Sequence, residues 1–472
     1  MCNFLYNIGM IFDEKHEECG VFGIYDPGED VSRVPYFALY ALQHRGQESA
    51  GIATYSGKKI KVIKRLGLVS QIFNEEKLNL LDGDIAIAHT RYSTTGSDDV
   101  RNASPFVIPS DLGDFAIAHN GNITNTLELK KLLPKGIHLK STTDSEILGY
   151  LIATREGKTF EDRILEVMKH AKGAYSVTLL AKDSLYAFRD PLGFRPLSLA
   201  KINSGYAFSS ETCAFGTIGA RRIRDIEPGE IVRINKDGLK SFQYPSAKKS
   251  FCIFEYVYFS RPDSIINGQS VYTVRERLGG LLAKTCPKDV DLVMGVPDSG
   301  IPSAIGLSVA SGVPYREGFI KNRYIGRTFI NPDQVQRLKT IKLKLNALRS
   351  VITDKNVVLV DDSIVRGNTM KKIVGLLKEK GAKSVHVRIT CPAIMHPCFF
   401  GVDFPSYKEL AATTHDNEQI REMIGADSLE FISLSDLVAA TSLPKENFCL
   451  ACFNGEYPYD LNKDENSKYI LE

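Results

Sequence analysis

Val357, Val358, Leu359 and Val360 run directly into two adjacent carboxylates, Asp361 and Asp362, and no other stretch constrains the fold of this chain as much. A small polar loop follows, then an apolar-periodic segment with Ile373, Val374, Leu376 and Leu377. That order predicts strand, loop, helix. At such a junction a phosphate can sit on backbone N–H groups at a helix N-terminus. Gly367 allows close backbone approach, while Ser363 and Thr369 offer hydroxyls. The two acids would repel a bare anion. Loop and acids together therefore suit a ligand with phosphate at one end and hydroxyls or Mg²⁺ at the other. On spacing alone, a capped strand–helix turn with exposed acids is the alternative. The loop has neither G-x-G-x-x-G nor G-x-x-x-x-G-K-[ST] spacing, which excludes the dinucleotide and Walker modes.

At 472 residues the chain is too long for one ordinary core, so two domains are expected. Its 43% hydrophobic and 24% charged residues are those of a soluble globular protein. A net charge of +3 gives no electrostatic case for a nucleic-acid or membrane partner. No apolar run approaches the roughly eighteen residues needed to span a bilayer. Residues 1–12 are fairly apolar but lack a basic n-region and a small-residue cleavage site, which argues against a secretory signal. A cytoplasmic location follows as the default. There the nine cysteines are thiols, metal ligands or a nucleophile rather than disulfides.

The two halves differ in grammar. Residues 20–245 carry short strand-like runs at 21–25, 52–55, 59–64, 85–88, 115–118, 175–180 and 185–188. Amphipathic segments at 35–43, 145–154 and 161–170 interrupt them, a pattern of layered α+β. Residues 85–91, ending in His89, Thr90 and Arg91, are echoed thirty residues later by 115–121, ending in His119, Asn120 and Gly121. Two buried strands ending in polar residues can line one pocket, although core strands also resemble one another by chance. From about Phe251 the pattern becomes strand–helix–strand, with strands at 291–295, 357–360 and 384–390 and helices at 303–311 and 370–381. That is the grammar of a parallel sheet, in which ligands bind beyond the carboxyl ends of the strands. Asp361 and Asp362 occupy such a position, and so do Pro297, Asp298, Ser299 and Gly300. Residues 245–249 form a plausible linker.

Several motifs carry a family resemblance. Residues 357–369 resemble the PRPP (5-phosphoribosyl pyrophosphate) loop of type I phosphoribosyltransferases. There the acids contact the ribose hydroxyls, residues matching Val365, Arg366, Gly367, Asn368 and Thr369 hold the 5′-phosphate, and Ser363 is a further PRPP contact. Cys19 begins a run, 19–24, that with residues 42–51, 89–94 and 119–121 resembles class II glutamine amidotransferases, which are N-terminal-nucleophile hydrolases. The chemistry is coherent. A thiol of pKa near ~8.5 needs a base, and a free α-amine titrates near ~7.7–8.0. If cleavage makes Cys19 the first residue, its own amine is that base. The resemblance implies that Asn120 and Gly121 form the oxyanion hole, that Arg91 pairs with the glutamine α-carboxylate, and that Asp144 takes its α-amino group. Residues 1–18 would then be a propeptide, longer than usual in the family, with Met10 an alternative start. Thr95 stands where the family usually has Ala.

Cys449 and Cys452 have C-x₂-C spacing, weak evidence alone for a metal centre. The segments around Cys252, Cys398 and Cys449–Cys452 are similar to those of the iron–sulfur class of glutamine PRPP amidotransferases, and all four positions are filled. The resemblance favours a structural [4Fe–4S] cluster over zinc. Cys2, Cys213, Cys286 and Cys391 take no family role. Residues 296–300 resemble the pyrophosphate-side loop, with Asp298 on PRPP and Ser299, Asp361 and Asp362 at Mg²⁺ positions, one ion per subunit. Lys321 and Arg323 open a basic stretch followed by another at 337–344. A solvated charged surface is the usual reading of such a stretch. In the family the matching loop closes over PRPP.

The resemblance spans residues 19 to about 459. It implies an αββα N-terminal-nucleophile hydrolase domain (19–245) followed by an α/β type I phosphoribosyltransferase domain (250–472). It further implies glutamine hydrolysis, transfer of NH₃ to C1 of PRPP to give 5-phosphoribosylamine, feedback inhibition by purine nucleotides, and a homodimer or homotetramer. Two rivals stand. Another class II amidotransferase would not need residues 361–369, and a PRPP-sensing regulator would leave Cys19 idle.

Overall fold

A computed structural model describes residues 19–92, 99–246, 248–321, 345–404 and 406–461. The leader 1–18 with Met10 and Cys2, Thr95, Arg323 and the basic run 337–344 lie outside the described residues.

The first half builds strands β1 (Gly20–Tyr25), β2 (Ser49–Tyr55), β3 (Ile60–Leu66), β4 (Ile85–Arg91), β5 (Phe106–Ile108), β6 (Phe115–Ile123), β7 (Gly173–Ala181), β8 (Ser184–Arg189), β9 (Ser198–Ile202), β10 (Gly205–Ser209), β11 (Arg221–Asp225), β12 (Glu230–Asn235) and β13 (Gly238–Gln243). They form a 7-stranded sheet, β11-β9-β10-β1-β4-β2-β3, and a 6-stranded sheet, β13-β12-β8-β7-β6-β5. Period-two alternation sorts their side chains into layers. Val21, Ile87, Ala116, Ala118, Leu185 and Phe208 fill the space between the sheets. Phe22, Ile24 and Ala88 face outward against helix Val34–Ala41 and the short helix Cys213–Thr217. Phe115, Ile117 and Val177 face the other way, against helices Asp144–Thr154 and Phe160–Met168. Both faces of the inner strands are covered, so these strands read as continuous apolar runs, whereas the edge strand β13 is exposed. The αββα layering matches the expectation. The echoed strands β4 and β6 lie in different sheets, stacked rather than side by side, with His89 Nε2 3.0 Å from the His119 carbonyl.

The second half holds a 4-stranded parallel sheet in the order Leu292–Gly295, Asn356–Asp361, Ser384–Ile389, Ser428–Phe431. Helices Gly300–Ser311 and Asn368–Glu379 follow the first two strands directly. Val296 N–H donates to the Val360 carbonyl (2.9 Å), so the two loops that leave these strands start side by side.

The linker is irregular but held down. Ser250 N–H donates to the Leu192 carbonyl (2.8 Å) and Cys252 N–H to that of Phe194 (3.1 Å). Phe251–Cys252 then pairs in parallel with Phe448–Cys449. Phe194 stacks on Phe400 at 4.3 Å, and Asn122 Nδ2 donates to the Phe399 carbonyl (3.0 Å), closing the seam between the halves. Among the described residues no helix is long and apolar enough to cross a membrane.

Candidate active sites

Cys19 stands at the start of β1, beside the end of β4, where β1 and β4 run antiparallel with Gly20 opposite Thr90. Its thiol donates to the Tyr92 carbonyl (3.2 Å) and accepts the Tyr92 N–H (3.4 Å). Among the described residues no side-chain base hydrogen-bonds Sγ. Burial pushes the thiol up to about 11, with the Tyr92 main chain and the Arg91 charge pulling the other way. At neutral pH it is a thiol, and nucleophilic use needs a proton acceptor.

Cys19, Arg91, Asp144 and Gly121 line one cleft of about 280 Å³, together with His89 and His119. Arg91 is buried at the end of β4, its Nη1 3.6 Å from Glu48 Oε2. Asp144 opens helix Asp144–Thr154, where the helix dipole favours its negative charge. It accepts the Ile123 N–H (3.0 Å) and sits 3.6 Å from His119 Nδ1. Burial raises its pKa, but the His119 charge and these hydrogen bonds outweigh it, and the net shift is downward. Asp144 is therefore a carboxylate at neutral pH, opposite in sign to Arg91 across the same cleft. A ligand with one carboxylate and one ammonium group suits that pair.

Gly121 has φ +143°, and a Cβ there would lie 2.0 Å from the Ala174 carbonyl oxygen, so only glycine fits. Asn120 is fully buried and does not line the cleft. Its Nδ2 donates to Ser210 Oγ (3.3 Å), and its Oδ1 has no hydrogen-bond partner among the described residues.

The second site lies at the carboxyl ends of the parallel strands. Asp361, Asp362 and Ser363 are buried there, and Ser299 Oγ donates to Asp362 Oδ2 (2.5 Å). Ser363 Oγ donates to the other oxygen of Asp362 (2.9 Å). The loop thus brings Ser299 to Asp362. Gly367 has φ +82° and caps helix Asn368–Glu379, with Asn368 exposed at its first turn. Val365 is buried in the core, so only its main chain is available to a ligand. Arg366 is held by Glu409 (Nε to Oε2, 3.0 Å). Lys321 and Asp298 form an exposed ion pair (2.5 Å) between the two arms of the site.

The four cysteines converge. Cys252 and Cys449 are register partners on adjacent parallel strands, and Cys452 lies on the helix that follows. Cys398 Sγ accepts the Phe400 N–H (3.4 Å). Burial raises the Cys449 thiol to about 12, and Cys398 adds to it. Cys452 is pushed higher still by burial and by Cys449, Cys398, Cys252 and Cys391. The thiols thus share one environment, with Cys391 near it. Among the described residues, no three His, Cys, Asp or Glu side chains are arranged to hold a metal ion.

Sequence reasoning gave no role to Arg45, Glu211 or Glu255, which form a buried ionic cluster beneath Cys19. Only Glu255, set in an apolar stretch, carried a signal; its pairing with Arg45 spans 210 positions and that of Arg45 with Glu211 spans 166.

Residues 89–217 match the glutamine amidotransferase domain family and residues 268–394 the phosphoribosyl transferase domain family. The chain is 49% identical over 469 residues to the amidophosphoribosyltransferase of Synechococcus elongatus, spanning 98% of this chain and 95% of that one. It is 46% identical over 464 residues to that of Methanocaldococcus jannaschii, spanning 94% and 98%. A solved structure of glutamine PRPP amidotransferase from B. subtilis, complexed with ADP and GMP, is 42% identical and superposes with a TM-score of 0.90 over 96% of this chain and all of that one. The two matched domains, in this order, and full-length relatives at this identity place the chain in the amidophosphoribosyltransferase family.

Proposed function

We propose that this chain hydrolyses glutamine at Cys19 and passes the NH₃ to C1 of PRPP, yielding 5-phosphoribosylamine, pyrophosphate and glutamate, the first committed step of purine synthesis. The observation that carries the reading is the single cleft lined by Cys19, Arg91, Asp144 and Gly121. In this reading residues 1–18 are removed, 19–245 form the glutaminase domain and 250–472 the phosphoribosyltransferase domain, in the cytoplasm.

Arg91 and Asp144 fix the two ends of the glutamine backbone, which leaves the side-chain amide over Cys19. The Cys19 amine takes the thiol proton as Sγ attacks the γ-carbonyl carbon. The amine then gives that proton to the leaving nitrogen as the C–N bond breaks, which releases NH₃ and leaves a thioester that water hydrolyses to glutamate. The oxyanion is held at Gly121 and Asn120. A half-turn of the Asn120 amide makes Ser210 Oγ the donor to Oδ1 and turns Nδ2 toward the side on which Oδ1 now lacks a partner. NH₃ crosses the seam shielded from water, because protonation to NH₄⁺ would end its nucleophilicity.

At the second site the loop 363–369 takes the 5′-phosphate and Asp361 and Asp362 take the ribose hydroxyls. Asp298 and Lys321 would face the pyrophosphate, and the resemblance gives Arg323 the same role. Formation of the N–C1 bond accompanies rupture of the C1–pyrophosphate bond. Two adjacent buried carboxylates, with Ser299 hydrogen-bonded to Asp362, are a hard-oxygen donor set that suits Mg²⁺. When bound, the ion offsets the charge of the leaving pyrophosphate. By the family resemblance, Cys252, Cys398, Cys449 and Cys452 would hold a [4Fe–4S] cluster, which would tie Cys252 and Cys398 to the C-terminal segment. The nucleotides in the B. subtilis complex support purine nucleotides as feedback inhibitors, and a homodimer or homotetramer is proposed from the family.

The test is Cys19→Ala in the full chain. It is expected to abolish glutamine-dependent synthesis while ammonia-dependent synthesis from PRPP continues. Equal loss of both sinks the two-site scheme.

A further inference from the structure

Arg45 is fully buried, and its guanidinium makes three kinds of contact at once. Nε donates to the Cys19 carbonyl (3.0 Å), Nη1 to Glu211 Oε1 (2.6 Å), and Nη1 and Nη2 to the two oxygens of Glu255 (2.9 and 2.8 Å). Glu211 belongs to the first half and Glu255 to the second. Each acid is also gripped from the second half: Glu211 accepts Arg261 N–H (2.9 Å) and Ser264 Oγ (2.8 Å), and Glu255 accepts Ser260 Oγ (2.6 Å). His44 Nε2 lies 2.8 Å from Glu211, and Arg195 Nη1 lies 3.7 Å from Glu255.

A guanidinium is a rigid plane, so a shift of its carboxylate partner moves Nε with it. Buried charges cannot drift apart cheaply, so the plane follows Glu255 instead of letting go. A continuous packed route leads from Glu255 to the second site. Arg275 holds the carbonyls of Tyr256 (2.8 Å), Tyr258 (2.9 Å) and Ser260 (2.8 Å), the turn that carries Glu255. Ser303 Oγ donates to the Arg275 carbonyl (2.9 Å) and lies on helix Gly300–Ser311, which begins at the Ser299 loop. That helix and helix Val271–Leu282 touch so closely that a Cβ on Gly279 or Gly306 would come within 2 Å of the opposite backbone.

We infer that Arg45 is a positioning residue for Cys19, and that Glu255 sets its position, so that events at the Ser299–Asp362 site reach the nucleophile through this buried network. The inference rests on the reading of Cys19 as the nucleophile. If Cys19 is the first residue of the mature chain, its main chain is tied to the fold from the carbonyl side alone, beside the contacts of Sγ with Tyr92. The Arg45 hydrogen bond then holds the Cys19 peptide group, and with it the place in the cleft from which the amine and Sγ act. An error of about 1 Å in such placement costs on the order of a hundredfold in rate.

The test compares Arg45→Lys and Glu255→Gln with wild type in the full-length enzyme, measuring glutaminase kinetics with and without PRPP and Mg²⁺, and ammonia-dependent synthesis alongside. PRPP is expected to raise wild-type glutaminase. Both variants are expected to lose that stimulation and at least about tenfold in glutaminase kcat, with glutamine KM and ammonia-dependent synthesis within about twofold. Four results overturn the inference: undiminished PRPP stimulation in Glu255→Gln, wild-type glutaminase kcat in Arg45→Lys, a wild-type rate indifferent to PRPP, or parallel loss of both activities in the variants. Glutaminase surviving in Cys19→Ala overturns the nucleophile reading instead, which keeps the two failures distinct.

Discussion

The base that serves Cys19 can be identified from pH alone. Burial places the thiol at about 11, so a thiol titrating by itself leaves roughly one enzyme in three thousand ionised at pH 7.5. Relative to an ordinary thiol this costs roughly 3 kcal/mol. Such an enzyme would gain about tenfold in kcat/KM per pH unit all the way to pH 10. An α-amine base titrates near ~7.7–8.0 instead. Its rate rises through that range and then levels, because above it the acceptor is already free. Between pH 8.5 and 10 the two mechanisms differ sharply: less than about twofold with the amine, about thirtyfold with the lone thiol.

The assay is glutaminase kcat/KM at saturating PRPP and Mg²⁺ from pH 6 to 10, on enzyme whose N-terminus is read by intact mass. A plateau above pH 8.5 on enzyme beginning at Cys19 is the expected outcome. A log-linear rise to pH 10 refutes the amine. So does a plateau on enzyme that retains residues 1–18, since the amine would then be locked in an amide.

Other perturbations test the surrounding architecture. Gly121→Ala places a Cβ 2.0 Å from the Ala174 oxygen at φ +143°; the strained backbone alone costs about 1–3 kcal/mol, and glutaminase should fall at least about a hundredfold, with wild-type turnover refuting the assignment. Asp362→Asn removes one of two buried acids and the acceptor of Ser299 Oγ; the Mg²⁺ needed for half-maximal ammonia-dependent synthesis should rise, and an unchanged titration argues against these ligands. His89 is held neutral by burial, its pKa lowered to about 3. The unfolded chain protonates near ~6.5, so between these values the unfolded state binds more protons and stability climbs with pH. The contribution is complete above about 6.5 and is lost toward pH 3, roughly 2 kcal/mol of it by pH 5. Urea unfolding at pH 7 and 5 should show that gap in wild type and a smaller one in His89→Gln.

What was legible in the sequence was whatever has a local period or motif. β1, β4, β6 and Asn356–Asp361 announced themselves as apolar runs because both faces of each are buried. Strand β13 passed unnoticed, since it is exposed along most of its length and carries no apolar face to read. Ser428–Phe431, four residues at the edge of the parallel sheet, is too short for a period to register. The echo of 85–91 in 115–121 correctly marked two strands that serve one cleft, yet nothing local could say that they lie in different sheets. That follows from pairing, and pairing is set by partners distant in the chain.

The same reason explains why the seam stayed hidden. Arg45 reaches Glu255 across 210 positions and Asn122 reaches Phe399 across 277. A buried arginine is costly unless every donor finds an acceptor, but Arg45 stands among Gln43, His44, Gln47 and Glu48, so neither its burial nor its distant acids could be read from the sequence. The acids lie on opposite sides of the domain boundary, and they meet beneath the nucleophile's own carbonyl. A lone glutaminase has no use for a carboxylate from another domain in that place. An enzyme that should release NH₃ only when its acceptor is bound does.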